Sequence, residues 1–135
     1  YTSIFPNSRI LAVARYTKET AQASGRPEGS AMTVSFELDG QPVTALNGGP
    51  VFTFNQAISL VVHCHDQNEI DHYWNRLSEG GDPSVQACGW LKDKYGLSWQ
   101  VVPGDIAKLA GNAGSMGALM NMTKIDIAAL KAAAT

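Results

Sequence analysis

The sequence predicts an α+β fold: paired β-α-β-β-β units that curl into a half-open cup with helices outside, followed by a C-terminal helical tail. Three observations predict it. Alternating apolar residues from Met32 to Leu38 run into Asp39-Gly40 and return as Val43 to Leu46, which reads as a hairpin. The apolar run ending at Cys64 passes directly into a capped amphipathic helix and then into further strands. The two halves also align weakly: Tyr1 to Phe5 matches Tyr73 to Leu77 as the end of a helix, and residues 39–44 match 95–100 as a turn plus closing strand. The whole, 1–135, reads as a single domain, with a first half over 1–53, a second half over 54–103 and a tail over 104–135.

The elements follow in order. Tyr1, Ile4 and Phe5 have the spacing of a helix's last apolar turn, stopped by Pro6-Asn7, so residues upstream of Tyr1 are expected. Arg9 to Tyr16 alternates as a strand. Thr17 to Ser30, polar and carrying Gly25, Pro27 and Gly29, reads as a long exposed loop. Asn47-Gly48-Gly49-Pro50 breaks the hairpin's second strand. Ala57 to Cys64 is expected to be the central strand. Asp66 with Glu69 then opens a helix whose stripe is Ile70, Tyr73, Trp74 and Leu77, closed by Gly80-Gly81. Ser84 to Leu91 reads as a strand, Asp93 to Gly96 as a solvated turn, and Leu97 to Val102 as the closing strand. In the tail, Ile106 and Leu109 mark one short helix, interrupted at Gly111 and Gly114. Met116, Leu119 and Met120 mark a second, and Asp126 caps a third from Ile127 to Ala134. A tail of this composition suits an open sheet edge or a partner subunit.

Composition narrows the function. With 135 residues, 44% hydrophobic and 16% charged, the chain suffices for a hydrophobic core. A net charge of −2 leaves no basic surface to follow a phosphate backbone, so nucleic acid is not expected as a partner. The apolar stretch Ile58 to Val62 is too short to cross a bilayer, and residues 1–16 lack the pattern of a secretory leader. Two cysteines, Cys64 and Cys88, are too few for a disulfide framework, and a cytoplasmic location is expected.

On the paired-unit reading, Ile58, Leu60, Val62, Leu97, Trp99 and Val101 face the helix, whereas Thr44, Ser59, His63, Ser98 and Gln100 face the cup. A polar concave face suits a small-molecule ligand. Trp90 and Asn47 join its expected lining. Glu37, facing away from Met32, Val34 and Phe36, is the candidate general base. The run His63-Cys64-His65-Asp66 puts two imidazoles on one face. Without a second cluster at ligand spacing, it reads as a strand end entering a helix cap. Cys88 has no base beside it in sequence and reads as packing.

The segments ALNGGPVFTFNQAISLVVHC, DHYWNRLSEGG, CGWLKDKYGLSWQVVP and MNMTKIDIAAL resemble the PhnB-like branch of the vicinal oxygen chelate (glyoxalase/bleomycin resistance) superfamily. Many members of that branch carry the label 3-demethylubiquinone-9 3-methyltransferase-like. The resemblance implies the paired units, a homodimer, and a strand and most of a helix ahead of Tyr1. It also implies a divalent metal held by His and Glu side chains from the first and last strands of each half. Carried over residue by residue, those positions fall on Gln100, near Thr44, near Ser59, and upstream of Tyr1. Neutral oxygens are weak ligands for such an ion, so no metal or other cofactor is predicted. Nor does Gly111-Asn112-Ala113-Gly114-Ser115-Met116-Gly117 match a glycine-rich methyl-donor loop, because the spacing differs and no strand precedes it. The expected function is therefore binding of a small organic molecule through Thr44, Asn47, Ser59, His63, Trp90, Ser98 and Gln100. The alternatives are a metal-dependent lyase, isomerase or dioxygenase using Glu37 or His63, and a non-catalytic sequestration protein.

Overall fold

A computed structural model describes residues 1–134. The chain is mixed α+β and carries two small sheets, one in each of two units, Tyr1–Thr53 and Phe54–Thr135.

The first unit opens with a turn in which the amides of Ile4 and Phe5 donate to the Tyr1 carbonyl at 2.9 and 3.4 Å. Three antiparallel strands follow in the order β1-β2-β3: β1 is Arg9–Arg15, β2 Ala31–Leu38 and β3 Gln41–Leu46. The Asp39-Gly40 hairpin forms as expected, with both residues at positive φ (49° and 79°), the conformation that matches the twist of a two-residue turn. Register sets Phe36 between Ile10 and Val43, and Val34 between Val13 and Ala45, on one apolar face; Thr33, Ser35, Glu37 and Thr44 occupy the other. A register shift between Ile10 and Ala12 leaves Leu11 out of the pairing. Asn47 fastens the open end of the hairpin: its amide donates to Met32 O (2.8 Å), its Nδ2 donates to Ala31 O (3.0 Å), and its carbonyl accepts from the buried Tyr16 hydroxyl.

The polar stretch from Thr17 to Ser30, expected as a loop, contains a helix. Helix α1, Lys18–Ser24, lies between β1 and β2. Thr17 and Thr20 cap it reciprocally, Thr17 N donating to Thr20 Oγ1 at 2.8 Å and Thr20 N to Thr17 Oγ1 at 3.3 Å, and left-handed Gly25 closes it. The helix buries no residue, so it has no apolar stripe to reveal it in sequence.

The second unit has strand β4 at Ser59–Cys64, helix α2 at Gln67–Ser78, β5 at Trp90–Lys92 and β6 at Ser98–Pro103. The sheet order is β4-β6-β5, with β4 parallel and β5 antiparallel to β6. The expectation that the Ala57–Cys64 segment is central is corrected. It is an edge strand two residues shorter, and β6 lies between two partners. A parallel neighbour needs a crossover, which α2 supplies. Ile58 and Leu60, expected against the helix, are accordingly 63% and 41% exposed, whereas Val62, Cys64, Trp99 and Val101 are buried. Asp66 caps α2 by accepting from Glu69 N (2.9 Å), and the Glu69 carboxylate accepts from His65 N (2.9 Å). Ile70, Trp74 and Leu77 are buried on the helix as the spacing predicted.

The predicted strand from Ser84 to Leu91 is also corrected. Asp82 and Pro83 start a short 3-10 turn over Pro83–Val85, and the chain reverses at Cys88-Gly89. Both residues have positive φ (52° and 85°), and Ala87 and Trp90 exchange backbone hydrogen bonds of 3.1 and 2.8 Å across the reversal. Only Trp90–Lys92 then pairs with β6. Asp93, expected in a solvated turn, is 4% exposed. Its Oδ1 accepts from Tyr95 N (2.9 Å) and Leu97 N (3.1 Å), and its Oδ2 accepts from Trp99 Nε1 (2.9 Å). A carboxylate that replaces water with three donors is tolerated inside.

The tail is helical, with α3 at Ile106–Leu109, α4 at Ala113–Met120 and α5 at Ile127–Ala132. Gly114 lies within α4 instead of interrupting it, because Asn112 starts that helix by accepting from Ser115 N (2.9 Å). Asp126 caps α5 through Ala129 N (2.9 Å). The tail docks on its own unit: Met122 O and Thr123 O accept from Cys88 N (2.8 Å) and Gly89 N (2.9 Å). Gln67 clamps the chain on both sides of Asp126, donating to Ile125 O (3.0 Å) and accepting from Ile127 N (2.9 Å). Lys124 pairs with Asp71 at 2.7 Å. No described helix is long and apolar enough to cross a membrane.

Candidate functional site

The residues expected to line a site divide between the units. Thr44 and Asn47 lie on the first, both exposed, with Thr44 opposite Ser35 in the sheet. Ser59, His63, Trp90, Ser98 and Gln100 lie on the second, and the strand register puts all five on one face of its sheet. Successive rows across β4, β6 and β5 read Ser59, Ser98, Lys92 and then Val61, Gln100, Trp90, followed by His63 beside Val102. The opposite face carries Leu60, Val62, Cys64, Leu91, Trp99 and Val101.

Within these rows Gln100 Nε2 donates to Ser59 Oγ at 2.9 Å. That bond orients the amide, leaves the Ser59 O–H able to donate, and leaves Gln100 Oε1 able to accept. Ser98 is 1% exposed and its hydroxyl has no hydrogen-bond partner among the described residues. Trp90, half-buried, supplies a flat apolar surface beside Gln100. His63 is exposed and stands a row away from the Ser59–Gln100 pair. The face can thus hold an organic molecule by hydrogen bonds to one end and apolar contact with the other. Sequence reasoning missed Lys92, although its place two residues after Trp90 in an alternating strand puts it on the same side.

The donor set does not fit a divalent metal. Ser59 and Gln100 offer neutral oxygens and already bond to each other, and no group of three His, Cys, Asp or Glu side chains assembles among the described residues. Glu37, the candidate base, belongs to the first unit, where its carboxylate meets Arg9 Nε at 3.5 Å across β1 and β2. In the His63-Cys64-His65-Asp66 run, Asp66 is occupied as the helix cap, and Cys64 points to the buried side. Burial, with smaller contributions from Glu69 and Asp66, pushes the Cys64 thiol up to about 12, so it is no nucleophile at neutral pH. Cys88 is half-buried, with its Sγ 3.6 Å from the Met120 carbonyl.

The sequence family described as 3-demethylubiquinone-9 3-methyltransferase matches residues 1–102, which ends before the tail. Among solved structures, the chain is similar to a PhnB protein from Bacillus cereus that carries the same description. Identity is 33%, the TM-score 0.63, and the match covers 76% of this chain and 84% of that one. Protein PA1353 from Pseudomonas aeruginosa shares the fold at 18% identity and a TM-score of 0.50, over 72% of this chain and 80% of that one. No curated protein matches the sequence.

Proposed function

Because the chain belongs to the PhnB family described as 3-demethylubiquinone-9 3-methyltransferase, we propose that it binds a small organic molecule on the polar face of its second sheet. The observation that carries this reading is the alignment of Ser59, Ser98, Gln100 and Trp90 in adjacent rows, with a hydroxyl inside the sheet that no protein group satisfies. Buried polar groups are almost always paired, so an unpaired one on this polar face points to an exchangeable partner. Neutral oxygens in this arrangement support binding and orientation rather than metal-assisted turnover.

The family description suggests methyl transfer. The glycine cluster at Gly111–Gly117 follows helix α3 rather than a strand and runs into α4, which is not the phosphate- or cofactor-cradling turn that a methyl donor takes in parallel sheets. We therefore read the family description as a lineage. Two free cysteines, one of them buried, accord with a reducing, cytoplasmic setting. Exposed Ile10, Leu11 and Val13 on edge strand β1 accord with a homodimer, which light scattering of the purified protein tests.

The test is a thermal-shift and NMR screen of small organic molecules against the wild type, Gln100→Ala and Trp90→Ala. Hits are expected to lose affinity by about fivefold or more in Gln100→Ala, because the lost amide also frees the Ser59 hydroxyl from its fixed orientation. Hits that bind both variants as tightly as the wild type would place the site elsewhere.

A further inference from the structure

Ser98 sits at the centre of β6, flanked in register by Ser59 on one side and Lys92 on the other. Its hydroxyl is buried and unpaired. The Ser59 oxygen accepts from Gln100, so its own O–H is unspent. Lys92 makes no ion pair with a described residue; its charge contributes to holding exposed Asp82 low, behind the hydrogen bonds that Ser84 gives that carboxylate. The row therefore lines up three donors, one of them cationic, and the register places no carboxylate on this face.

Resting on the proposed binding face, we propose that Ser59, Ser98 and Lys92 form a subsite for the carboxylate of a small organic acid, whose flat apolar body lies against Trp90. Two hydroxyls able to donate beside one ammonium favour an anionic oxygen, and charge-assisted bonds are the strong ones. Lys92, whose charge also acts on exposed Asp82, leaves room for no more than one further negative charge. A dianionic phosphate would carry a second charge into a row that holds a fully buried hydroxyl, where nothing compensates it. Ser98 is buried in the free protein, so admitting the head group requires a rotamer change of the flexible Lys92 side chain beside it in register, with Gln100 kept on Ser59. The unsatisfied hydroxyl is then a cost the free protein carries and the bound acid removes.

The experiment uses 2-naphthoate, its methyl ester and 2-naphthyl phosphate, titrated calorimetrically into the full chain and into Lys92→Gln, Ser98→Ala and Gln100→Ala. The acid is expected to bind about tenfold tighter than the ester, with Lys92→Gln abolishing that difference. Ser98→Ala should weaken the acid several-fold, spare the ester, and melt at a higher temperature than the wild type, since it deletes an unpaired buried group. The rise in melting temperature also shows that the variant folds. Acid and ester binding equally, yet both weakened by Gln100→Ala, would overturn the anion subsite and leave the binding face standing. Equal binding untouched by Gln100→Ala would overturn both. Tighter binding of the phosphate would overturn the monoanion assignment, and no binding of the acid would overturn the subsite outright.

Discussion

Asp93 holds the turn between β5 and β6 together from inside. Its carboxylate satisfies two turn amides and the Trp99 indole at 2.9 to 3.1 Å. Asp93→Ala leaves those donors buried and unpaired, and should cost about 3 kcal/mol or more in urea unfolding, with a red shift of Trp99 emission. Asp93→Asn should cost less, because an amide oxygen still accepts from Tyr95 and Leu97. The two cysteines should separate sharply. At pH 8 a disulfide reagent is expected to titrate Cys88 in the native protein and Cys64 only after denaturation. The folded chain holds the Cys64 proton up to about 12, whereas the unfolded chain releases it near 9.0. Stability from this group is therefore complete below the lower value and declines as pH rises toward the higher one. Cys64→Ala should show a shallower alkaline loss of melting temperature than the wild type; parallel curves would count against the burial argument.

At the scale of elements, the tail and the Cys88-Gly89 reversal depend on each other. Gly89 has φ +85°, and a Cβ there would stand 2.8 Å from Ile125 Cδ1 and 3.1 Å from Val101 O. Gly89→Ala adds backbone strain to a steric clash and should cost about 2–4 kcal/mol by urea unfolding. The tail's polar anchor is milder. Hydrogen bonds from Lys124 and Gln67 hold Asp71 below the usual carboxylate value. The anchor is thus present above that value, and it weakens as pH falls through the depressed one. NMR shifts of Ile125 and Ile127 should move with acidification in the wild type and lose that transition in Asp71→Asn. The 3-10 turn at Pro83 and the capped helix α1 teach the same lesson: short-range hydrogen bonds decide elements that carry no apolar period.

Across the whole molecule, the core is unevenly shared. Among the described residues of the first unit, Tyr16 and Phe36 are the buried apolar side chains, whereas the second unit buries Ile70, Trp74, Leu77, Leu91, Trp99, Val101, Ile125 and Leu130 among others. Burying a large side chain contributes about 1.5–3 kcal/mol, so the second unit has the means to fold alone and the first does not. A 54–135 fragment should unfold cooperatively with protected Trp99, and a 1–53 fragment should show random-coil circular dichroism. A folded 1–53 fragment would refute this division of stability.

The sequence by itself determined the α+β class, the Asp39-Gly40 hairpin, the Asp66-capped helix with its Ile70, Trp74 and Leu77 stripe, and the capped third tail helix. Each follows from neighbours in the chain: period, cap and turn residue. It also placed Ser59, Ser98, Gln100 and Trp90 within strands or beside them, since alternation assigns a face once a strand is recognised. Tertiary structure alone decided that β6, and not β4, is central, because strand order depends on a crossover that periodicity cannot report. It decided that Asp93 is buried, since its donors arrive with the folded turn and with Trp99. It decided, too, that Lys92 and Ser98 share a row, because register between strands is a property of their pairing and of neither strand alone.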